Sequence, residues 1–277
     1  MNLKDKIDYS IELIRRGERL AVALNPGDGY FVGFSGGKDS QALLQLVKMA
    51  GVKYRAYYSV TTNDPPPNVY FIRQYYPEVE FLHPKENFFK LVEKNGLPLM
   101  SRRYCCRTLK ENSGEGSVVL TGVRADESGS RALYDEVSVR SRRKEHKNSR
   151  HTLEKIEENE HRCIKGKDKI MVYPLLRWTE SDVWDFLRGQ GLPINPCYKQ
   201  AGRVGCMFCP FSSKRQIGFY ETQYPKFKER LLKSLEVYSR HCKTYEWESP
   251  SQNYEWWKSK KSIRKFRAEL AQLSIGI

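Results

Sequence analysis

Ser35-Gly36-Gly37-Lys38-Asp39-Ser40 follows a short, mostly apolar run at residues 30–34 and precedes a second apolar stretch at residues 41–50. This order predicts a strand, a tight turn and a helix. The two glycines allow the backbone to turn sharply and to direct several N–H groups at one point, and the helix adds the positive end of its dipole. The hexapeptide therefore predicts an anion-binding loop, although a strand–helix turn without a ligand would show the same order. The Walker A pattern does not fit these residues.

The composition narrows the class of protein. With 277 residues, 39% of them hydrophobic, the chain is long enough for one large domain with a sizeable core. No apolar run predicts a membrane span, and residues 1–8 lack the apolar centre of a signal peptide. We therefore expect a cytoplasmic protein with no membrane partner, whose seven cysteines are thiols or metal ligands rather than disulfides.

The charge is strongly positive and concentrated in two segments. The formal net charge is +15, and residues 140–150 and 255–267 each carry six Lys or Arg against one acidic residue. Aromatic residues are interleaved with the second segment, namely Tyr254, Trp256, Trp257 and Phe266. Cations for phosphates beside rings for stacking predict a nucleic-acid partner, DNA or tRNA. The alternative is a solvated helix face whose aromatic side chains belong to the core.

The order of predicted elements indicates an α/β fold. Strands at residues 30–34, 54–60, 79–82, 117–123 and 170–175 alternate with helices, which predicts a doubly wound, mostly parallel sheet. We expect an N-terminal helix in residues 1–27, a nucleotide-binding domain in residues 28–212 and a basic helical region in residues 213–277. A basic insertion at about 132–168 and a cysteine cluster interrupt the middle section. Ligands of such sheets lie beyond the carboxyl ends of the strands, where the loop 35–40 and the segment 124–131 meet.

The cysteine pattern predicts a metal site. Cys206 and Cys209 form a C-x-x-C pair, Cys197 lies nine residues upstream of Cys206, and Cys105 and Cys106 are adjacent. Four thiolates suit either zinc or an iron–sulfur cluster, and the spacing does not separate the two. A redox pair and plain buried thiols are the other interpretations. Two further cysteines, Cys163 and Cys242, are expected to be plain thiols.

Four motifs in a fixed order carry a family resemblance that covers about residues 28–212. They are SGGKDS at 35–40, YCCRTLK at 104–110, TGVRADESGSR at 121–131 and YPLLRWTESDVW at 173–184. The first resembles the loop of the PP-loop ATP pyrophosphatases, which cleave ATP between the α and β phosphates. The whole set resembles the phosphoadenylyl-sulfate (PAPS) reductase family within that superfamily, and the resemblance implies an adenine nucleotide alpha hydrolase-like fold.

The resemblance also implies a set of site residues. Those that would bind ATP are Ser35, Gly36, Gly37, Lys38, Asp39, Ser40, Gly122, Arg124 and Arg131. Lys38 and the loop N–H groups would hold the leaving pyrophosphate, and Asp39 would position Mg²⁺, which makes Lys38 and Asp39 the catalytic pair. Arg124 and Arg131 would clamp the phosphates, and ion pairs with Asp126 or Glu127 are their alternative role.

The reaction implied by the resemblance depends on the cysteines. Sulfonucleotide reductases carry a C-terminal Glu-Cys-Gly-x-His, whereas the last cysteine here is Cys242 in Arg-His-Cys-Lys-Thr, so we expect a different reaction. The spacing Cys197-x8-Cys206-x2-Cys209 resembles the iron–sulfur members that act in DNA phosphorothioation and, more distantly, in tRNA thiolation. This implies a [4Fe-4S] cluster on Cys105, Cys197, Cys206 and Cys209, with zinc as the alternative. Cys106 would be a further ligand or a thiol that carries sulfur.

The predicted function is therefore ATP-dependent sulfur transfer to nucleic acid, through an adenylate and with release of pyrophosphate. A cysteine desulfurase or another sulfur donor protein is the expected partner. A phosphoadenylyl-sulfate or adenylyl-sulfate reductase is the alternative. A nucleotide-binding module without chemistry is disfavoured, because such a module has no need of Asp39.

Overall fold

The protein is described by a computed structural model that covers residues 1–140 and 168–274. These residues divide into two compact units. The first comprises Met1–Ser59, Pro66–Leu82 and Asn112–Val204, and the second comprises Val60–Pro65, His83–Glu111 and Gly205–Ile277. The sections 1–27, 28–212 and 213–277 stay a prediction. Most of the predicted insertion 132–168, most of the basic segment 140–150, and Cys163 lie outside the described residues.

The first unit contains a six-stranded sheet in the order β3-β2-β1-β4-β6-β5. The strands are β1 Tyr30–Gly33, β2 Tyr54–Ser59, β3 Glu80–Leu82, β4 Val118–Leu120, β5 Val137–Arg140 and β6 Lys169–Val172. All neighbouring pairs are parallel except β5 and β6, which are antiparallel. The predicted doubly wound, mostly parallel sheet is confirmed. The sequence does not predict β5, because a four-residue edge strand that ends in a charged run gives too short a pattern.

In the described part of the first unit, two α-helices precede β1 and four follow it later in the chain. They are α1 Leu3–Arg16, α2 Glu18–Leu24, α3 Lys38–Ala50, α4 Pro66–Tyr75, α7 Glu180–Gly189 and α8 Cys197–Ala201. Helices α5 and α6 belong to the second unit. The N-terminal helix expected in residues 1–27 is thus two helices with Gly17 between them. α3 packs against α1 and α7, and nine of its thirteen residues are buried. A single buried helix therefore anchors the loop that precedes it.

The order of the strands determines where in the sheet the candidate site lies. β1 and β4 are parallel neighbours in the middle of the sheet, although β2 and β3 lie between them in sequence. Val32 and Leu120, which pair across these strands, are fully buried. The loop after β1 and the segment after β4 consequently emerge side by side at the carboxyl edge of the sheet.

The second unit is helical in the part that the structure describes. Its helices are α5 Phe88–Asn95, α6 Tyr104–Cys106 with a π-helical turn at Arg107–Glu111, α9 Lys214–Gln223, α10 Pro225–His241, α11 Pro250–Ser259 and α12 Ile263–Ser274. α5 and α11 both pack against α10. The predicted helical C-terminal region is confirmed. Among the described residues, no helix has both the length and the apolar character needed to cross a membrane.

Candidate functional site

The turn between β1 and α3 is fixed by glycine and by two asparagines. Gly36 has a φ of +77°, and a Cβ there would lie 2.3 Å from Oδ1 of Asn68, so no other residue fits without a shift. The Nδ2 amide of Asn195 donates to the Gly36 carbonyl over 2.9 Å, and that of Asn68 donates to the Ser35 carbonyl over 3.2 Å. The two asparagines thus hold the carbonyls of the turn in place, while the Gly37 N–H donates to Oγ of Ser35 over 3.3 Å.

The first turn of α3 receives a tyrosine hydroxyl. Gly37 is the N-cap and has no side chain to accept from the helix N–H groups. Instead, the Lys38 N–H donates to the hydroxyl of Tyr198 over 2.8 Å, and the Ser40 hydroxyl donates back to the Gly37 carbonyl over 2.8 Å. Burial raises the pKa of Tyr198 to about 12, so this phenol stays protonated at neutral pH. The helix N-terminus thus has an uncharged polar cap rather than a carboxylate.

Two buried cations share one carboxylate beside the loop. Arg124 donates its Nε–H to Oδ1 of Asp39 over 2.6 Å, and Lys38 donates from Nζ to Oδ2 of Asp39 over 2.9 Å. Arg124 is 3% exposed and Lys38 is 8% exposed. Charges this far from water are retained only when paired, so Asp39 holds both cations in place. Because both oxygens of Asp39 already have cationic partners, its role as a Mg²⁺ ligand stays a prediction.

Two further carboxylates lie on the outer side of these cations. Oε1 of Glu180 is 3.6 Å from the Lys38 ammonium, and Oδ2 of Asp126 is 3.1 Å from a terminal nitrogen of Arg124. The side chains of Glu180 and Asp126 are 63% and 50% exposed. Ion pairs at such exposure contribute little, about 0–1 kcal/mol. A phosphate oxygen can therefore replace either carboxylate on the inner cation at small cost.

Gly122 and Arg131, both expected to contact the nucleotide, have different surroundings. A Cβ on Gly122 would lie 2.8 Å from the carbonyl oxygen of Asp39, so a glycine lets the segment after β4 pass against the first turn of α3. Arg131 pairs with Glu127 on the surface, and its side chain is 39% exposed. The alternative role that the sequence left open for Arg131, an ion pair, is the one observed in the described part of the chain.

The second unit holds four thiols around one cavity, called here the cysteine cavity. Its lining includes Cys105, Cys106, Cys206 and Cys209, and its volume is about 20 Å³. A hydrogen bond between Cys105 and Cys106 raises the pKa of the Cys105 thiol and lowers that of Cys106. The nearby Cys206 raises the pKa of Lys110, whose ammonium therefore remains charged beside the thiols. The charge of Lys110 also contributes to the lowered pKa of Cys106 and so favours the thiolate of that residue, which is the form of cysteine that binds metals.

The cysteine sulfur atoms that line this cavity suit zinc or an iron–sulfur cluster. Among the described residues, no three Cys, His, Asp or Glu side chains are arranged closely enough to hold a metal ion. The thiols share a cavity without surrounding one point, and sulfur is the donor type that zinc and iron–sulfur groups take. Cys197 belongs to the first unit, where it is buried at the start of α8 and burial raises its pKa to about 11. Three of the four predicted ligands therefore line the cysteine cavity together with Cys106.

Comparison with known proteins assigns the family. The family model of the phosphoadenosine phosphosulfate reductase domain matches residues 29–212, which is more than half of the chain. The chain belongs to this family. The β1–α3 loop, Gly122, Arg124 and Cys206 all lie within the matched reductase-domain residues. The predicted resemblance to the PAPS reductase family is thereby confirmed.

Individual relatives of this reductase-domain protein are distant. An uncharacterized 37.8 kDa protein of Escherichia phage 186 is 29% identical over 153 residues, which are 53% of this chain and 42% of that protein. Sulfate adenylyltransferase subunit 2 of Sulfurovum sp. is 31% identical over 112 residues, which are 40% of this chain and 32% of that protein. The chain thus spans less than half of the length of these curated relatives. The crystal structure of PAPS reductase from Candida auris matches with a TM-score of 0.46 and 16% identity, covering 71% of this chain and 87% of that one.

Several residues that shape the site in this reductase-domain protein are missed by sequence reasoning. They are Gln41, Asn68, Glu180, Asn195 and Tyr198. Asn195 and Tyr198 lie about 160 positions from the loop and flank Cys197. The cysteine spacing at this position predicts a metal site and gives no indication that its neighbours contact the loop. Only Glu180 falls within a quoted motif, where its position suggests a helix start. No spacing rule connects these side chains to the loop.

Proposed function

We propose that the protein catalyses ATP-dependent sulfur transfer to nucleic acid, of the DNA phosphorothioation or tRNA thiolation type. The observation that carries the proposal is the pairing, in one chain, of a phosphate loop with two buried cations and a separate set of four thiols around one cavity. The loop supplies a site for ATP, and the thiols supply a site for sulfur. The strongly basic chain supplies the attraction to a polyanionic acceptor.

The first step is adenylation of the acceptor. An acceptor oxygen attacks the α-phosphorus of ATP, the bond from that phosphorus to the bridging oxygen breaks, and pyrophosphate leaves with the electron pair. The loop N–H groups and Lys38 bind the pyrophosphate, whose negative charge grows as the bond breaks. Arg124, which is paired with Asp39, balances part of the negative charge of the phosphates. Asp39 keeps both cations oriented. Relatives named sulfate adenylyltransferase subunit 2 support an adenylyl transfer of this kind.

The second step replaces the activated oxygen by sulfur. A hydrosulfide-level sulfur attacks the activated atom, AMP leaves with the electrons of the broken bond to oxygen, and the thiol proton passes to solvent. Cys105, Cys106, Cys206 and Cys209 are the residues of the second unit that would hold an iron–sulfur group, and Cys197 stays a predicted ligand. When bound, such a group would hold and deliver sulfide. A cysteine desulfurase or similar donor in the cytoplasm would replenish the sulfur.

The family match favours a second candidate, reduction of phosphoadenylyl sulfate or adenylyl sulfate. That reaction consumes a sulfonucleotide and a dithiol, which supplies two electrons and becomes a disulfide. It releases sulfite and requires neither ATP nor a nucleic acid. The two candidates therefore differ in the substrate consumed and in the product released.

The test is a reaction of the anaerobic protein with ATP, Mg²⁺, sulfide and either DNA or unmodified tRNA. We expect AMP, pyrophosphate and labelled sulfur in the nucleic acid, and we expect Asp39→Asn to abolish all three. Asp8→Asn, which changes an exposed carboxylate on α1, is the matched control. Release of ADP and phosphate would contradict the proposal, and sulfite formed from phosphoadenylyl sulfate without ATP would favour the reductase.

The acceptor has a separate test. Reversal of Arg142, Arg143 and Lys144 to Glu changes a basic segment outside the described residues. We expect binding of DNA or tRNA at low salt to weaken about tenfold or more, with ATP affinity nearly unchanged. If the unmodified protein shows no salt-dependent binding to any nucleic acid, the small-molecule candidate is the better one.

A further inference from the structure

A second cavity in the second unit, called here the tryptophan cavity, has no cysteine among its described lining residues. Its volume is about 250 Å³, and its lining includes Met100, Pro210, Trp256, Trp257, Lys260 and Lys261. Met100 is 56% exposed, so the cavity opens beside an apolar side chain in contact with solvent. A concave site that combines aromatic and cationic side chains is a candidate for ligand binding.

The two indole rings of this cavity are fixed in place. The Trp257 indole N–H donates to the Pro98 carbonyl over 2.7 Å, and the Trp256 indole N–H donates to the Lys261 carbonyl over 3.0 Å. Trp256 also stacks on Trp247, with ring centroids 4.9 Å apart. Because backbone carbonyls already satisfy both N–H groups, neither ring offers a ligand a hydrogen bond. Trp257 is only 4% exposed, so the partly exposed ring of Trp256 is the surface on which a ligand can stack. Such a surface selects flat, polarisable groups with little regard to their polar pattern.

The polar side of the cavity is cationic. Lys260 follows α11 in the left-handed conformation, with a φ of +61°, and this turn directs its ammonium to the Pro210 carbonyl at 2.8 Å and over the Trp257 ring at 4.6 Å. Among the described residues, no carboxylate forms an ion pair with Lys260, whereas Lys261 pairs with Glu269. No acidic residue is found among those that line the cavity. The charge therefore suits an anionic ligand that has an aromatic part.

We propose that the tryptophan cavity binds an unstacked base of single-stranded nucleic acid, with an adjoining phosphate on Lys260. Bases stack on aromatic side chains whatever their sequence, while cations follow the backbone. A base within a duplex cannot enter a cavity of this kind, because it must first leave its neighbours. A peptide side chain would leave the unpaired ammonium of Lys260 without an anionic partner.

The position of this cavity relates it to the thiols. Pro210 directly follows Cys209 and lines both the tryptophan cavity and the cysteine cavity. A base held on Trp256 would therefore occupy a cavity that shares one lining residue with the cavity of the thiols proposed to carry sulfur. This inference rests on the proposed function for its acceptor, and it deepens that proposal by making the acceptor an unpaired nucleotide rather than an intact duplex.

Binding to the full-length protein without ATP or sulfide tests the inference. The probes are a fluorescent single strand of about twelve nucleotides, the same strand with abasic positions, and the duplex of the same sequence, measured by anisotropy. We expect the single strand to bind about tenfold more tightly than either other probe. Trp256→Ala should weaken binding of the normal strand about tenfold and leave that of the abasic strand within about twofold. Trp256→Phe should restore most of the loss.

Two control variants distinguish the loss of base stacking and of a phosphate contact from a general loss of folding. Tyr70→Ala removes an exposed aromatic side chain from the first unit and should change nothing. Lys260→Ala should reduce the slope of log affinity against log salt by about one, whereas Lys233→Ala, at an exposed lysine on α10, should leave that slope unchanged. Circular dichroism melting of each variant checks that it folds.

The outcomes distinguish this inference from the proposed function. If the single strand binds but Trp256→Ala weakens binding of the normal and abasic strands equally, or changes neither, the tryptophan cavity is not a base site. The proposed function is unaffected by that outcome. If the unmodified protein binds the single strand no better than the duplex or the abasic strand, the base site is contradicted, and the proposed function is decided separately by the assay with ATP and sulfide. If Trp256 stacking is found but ATP and sulfide give no thiolated product, the base site holds and the sulfur-transfer proposal fails.

Discussion

Arg124 and Asp39 form a nearly buried ion pair across 85 positions of sequence, with 2.6 Å between Nε and Oδ1. Arg124 follows β4 and Asp39 lies in the first turn of α3, so the pair joins the two segments that emerge at the middle of the sheet. Asp39 binds Lys38 with its other oxygen. One carboxylate thereby sets the positions of both cations that are predicted to contact a nucleotide.

Removal of Arg124 should cost both stability and nucleotide binding. Arg124→Ala leaves Asp39 with one cationic partner fewer in a buried place, and we expect a loss of about 2–3 kcal/mol in the free energy of unfolding. Arg131→Ala, which breaks only a surface pair, should change that free energy by less than about 0.5 kcal/mol. Urea unfolding measures the free energy of unfolding of both variants. Equal losses of this free energy in Arg124→Ala and Arg131→Ala would contradict the assignment of Arg124 as the structural cation.

Neutralising Glu180 should strengthen ATP binding. Its exposed carboxylate lies 3.6 Å from the Lys38 ammonium, where it competes with a phosphate oxygen. Glu180→Gln removes the competing charge and keeps a side chain of the same size, so we expect the dissociation constant for ATP to fall about two- to fivefold. Glu12→Gln on α1 is the control for a general change in charge. Weaker ATP binding by Glu180→Gln would instead indicate a direct role for this carboxylate.

Gly36 should tolerate no side chain. Its φ is positive and an added Cβ would lie 2.3 Å from Oδ1 of Asn68, so Gly36→Ala must displace the asparagine or distort the turn. We expect ATP turnover to fall at least about a hundredfold, because a displacement of about 1 Å near the reacting groups has an effect of that size. Gly189→Ala, where a Cβ would meet nothing within 4 Å, should retain full turnover.

The thiols of the cysteine cavity should determine metal content. Anaerobically purified protein should contain iron and sulfide and be brown, and Cys206→Ser or Cys106→Ser should remove much of the colour, because both side chains line the cavity. Cys242→Ser, outside the cavity, should keep it. Cys197→Ser tests the ligand that the sequence predicts from the first unit. A colourless protein that holds one zinc ion per chain would contradict the cluster and leave the thiol site in place.

The sequence by itself determined the features whose causes are local. The strand, glycine turn and helix at residues 30–50 follow from apolar patterning and from the freedom of Gly36, and both act over a few neighbouring residues. The alternation of strands and helices predicted the parallel sheet, and the C-x-x-C pair at Cys206 and Cys209 pointed to a thiol site. The four-residue strand β5 escaped because its pattern is too short to stand out from charged neighbours.

Only the tertiary structure decided which distant residues meet. Asn195 and Tyr198 hold the loop, Arg124 meets Asp39, and Cys106 joins the cysteine cavity. The physical reason is the sheet order: β1 lies beside β4 rather than only beside β2, and the partners of a loop side chain are set by which strand is its neighbour. Long-range contacts of this kind depend on how elements pack, and no period or spacing along the chain encodes them.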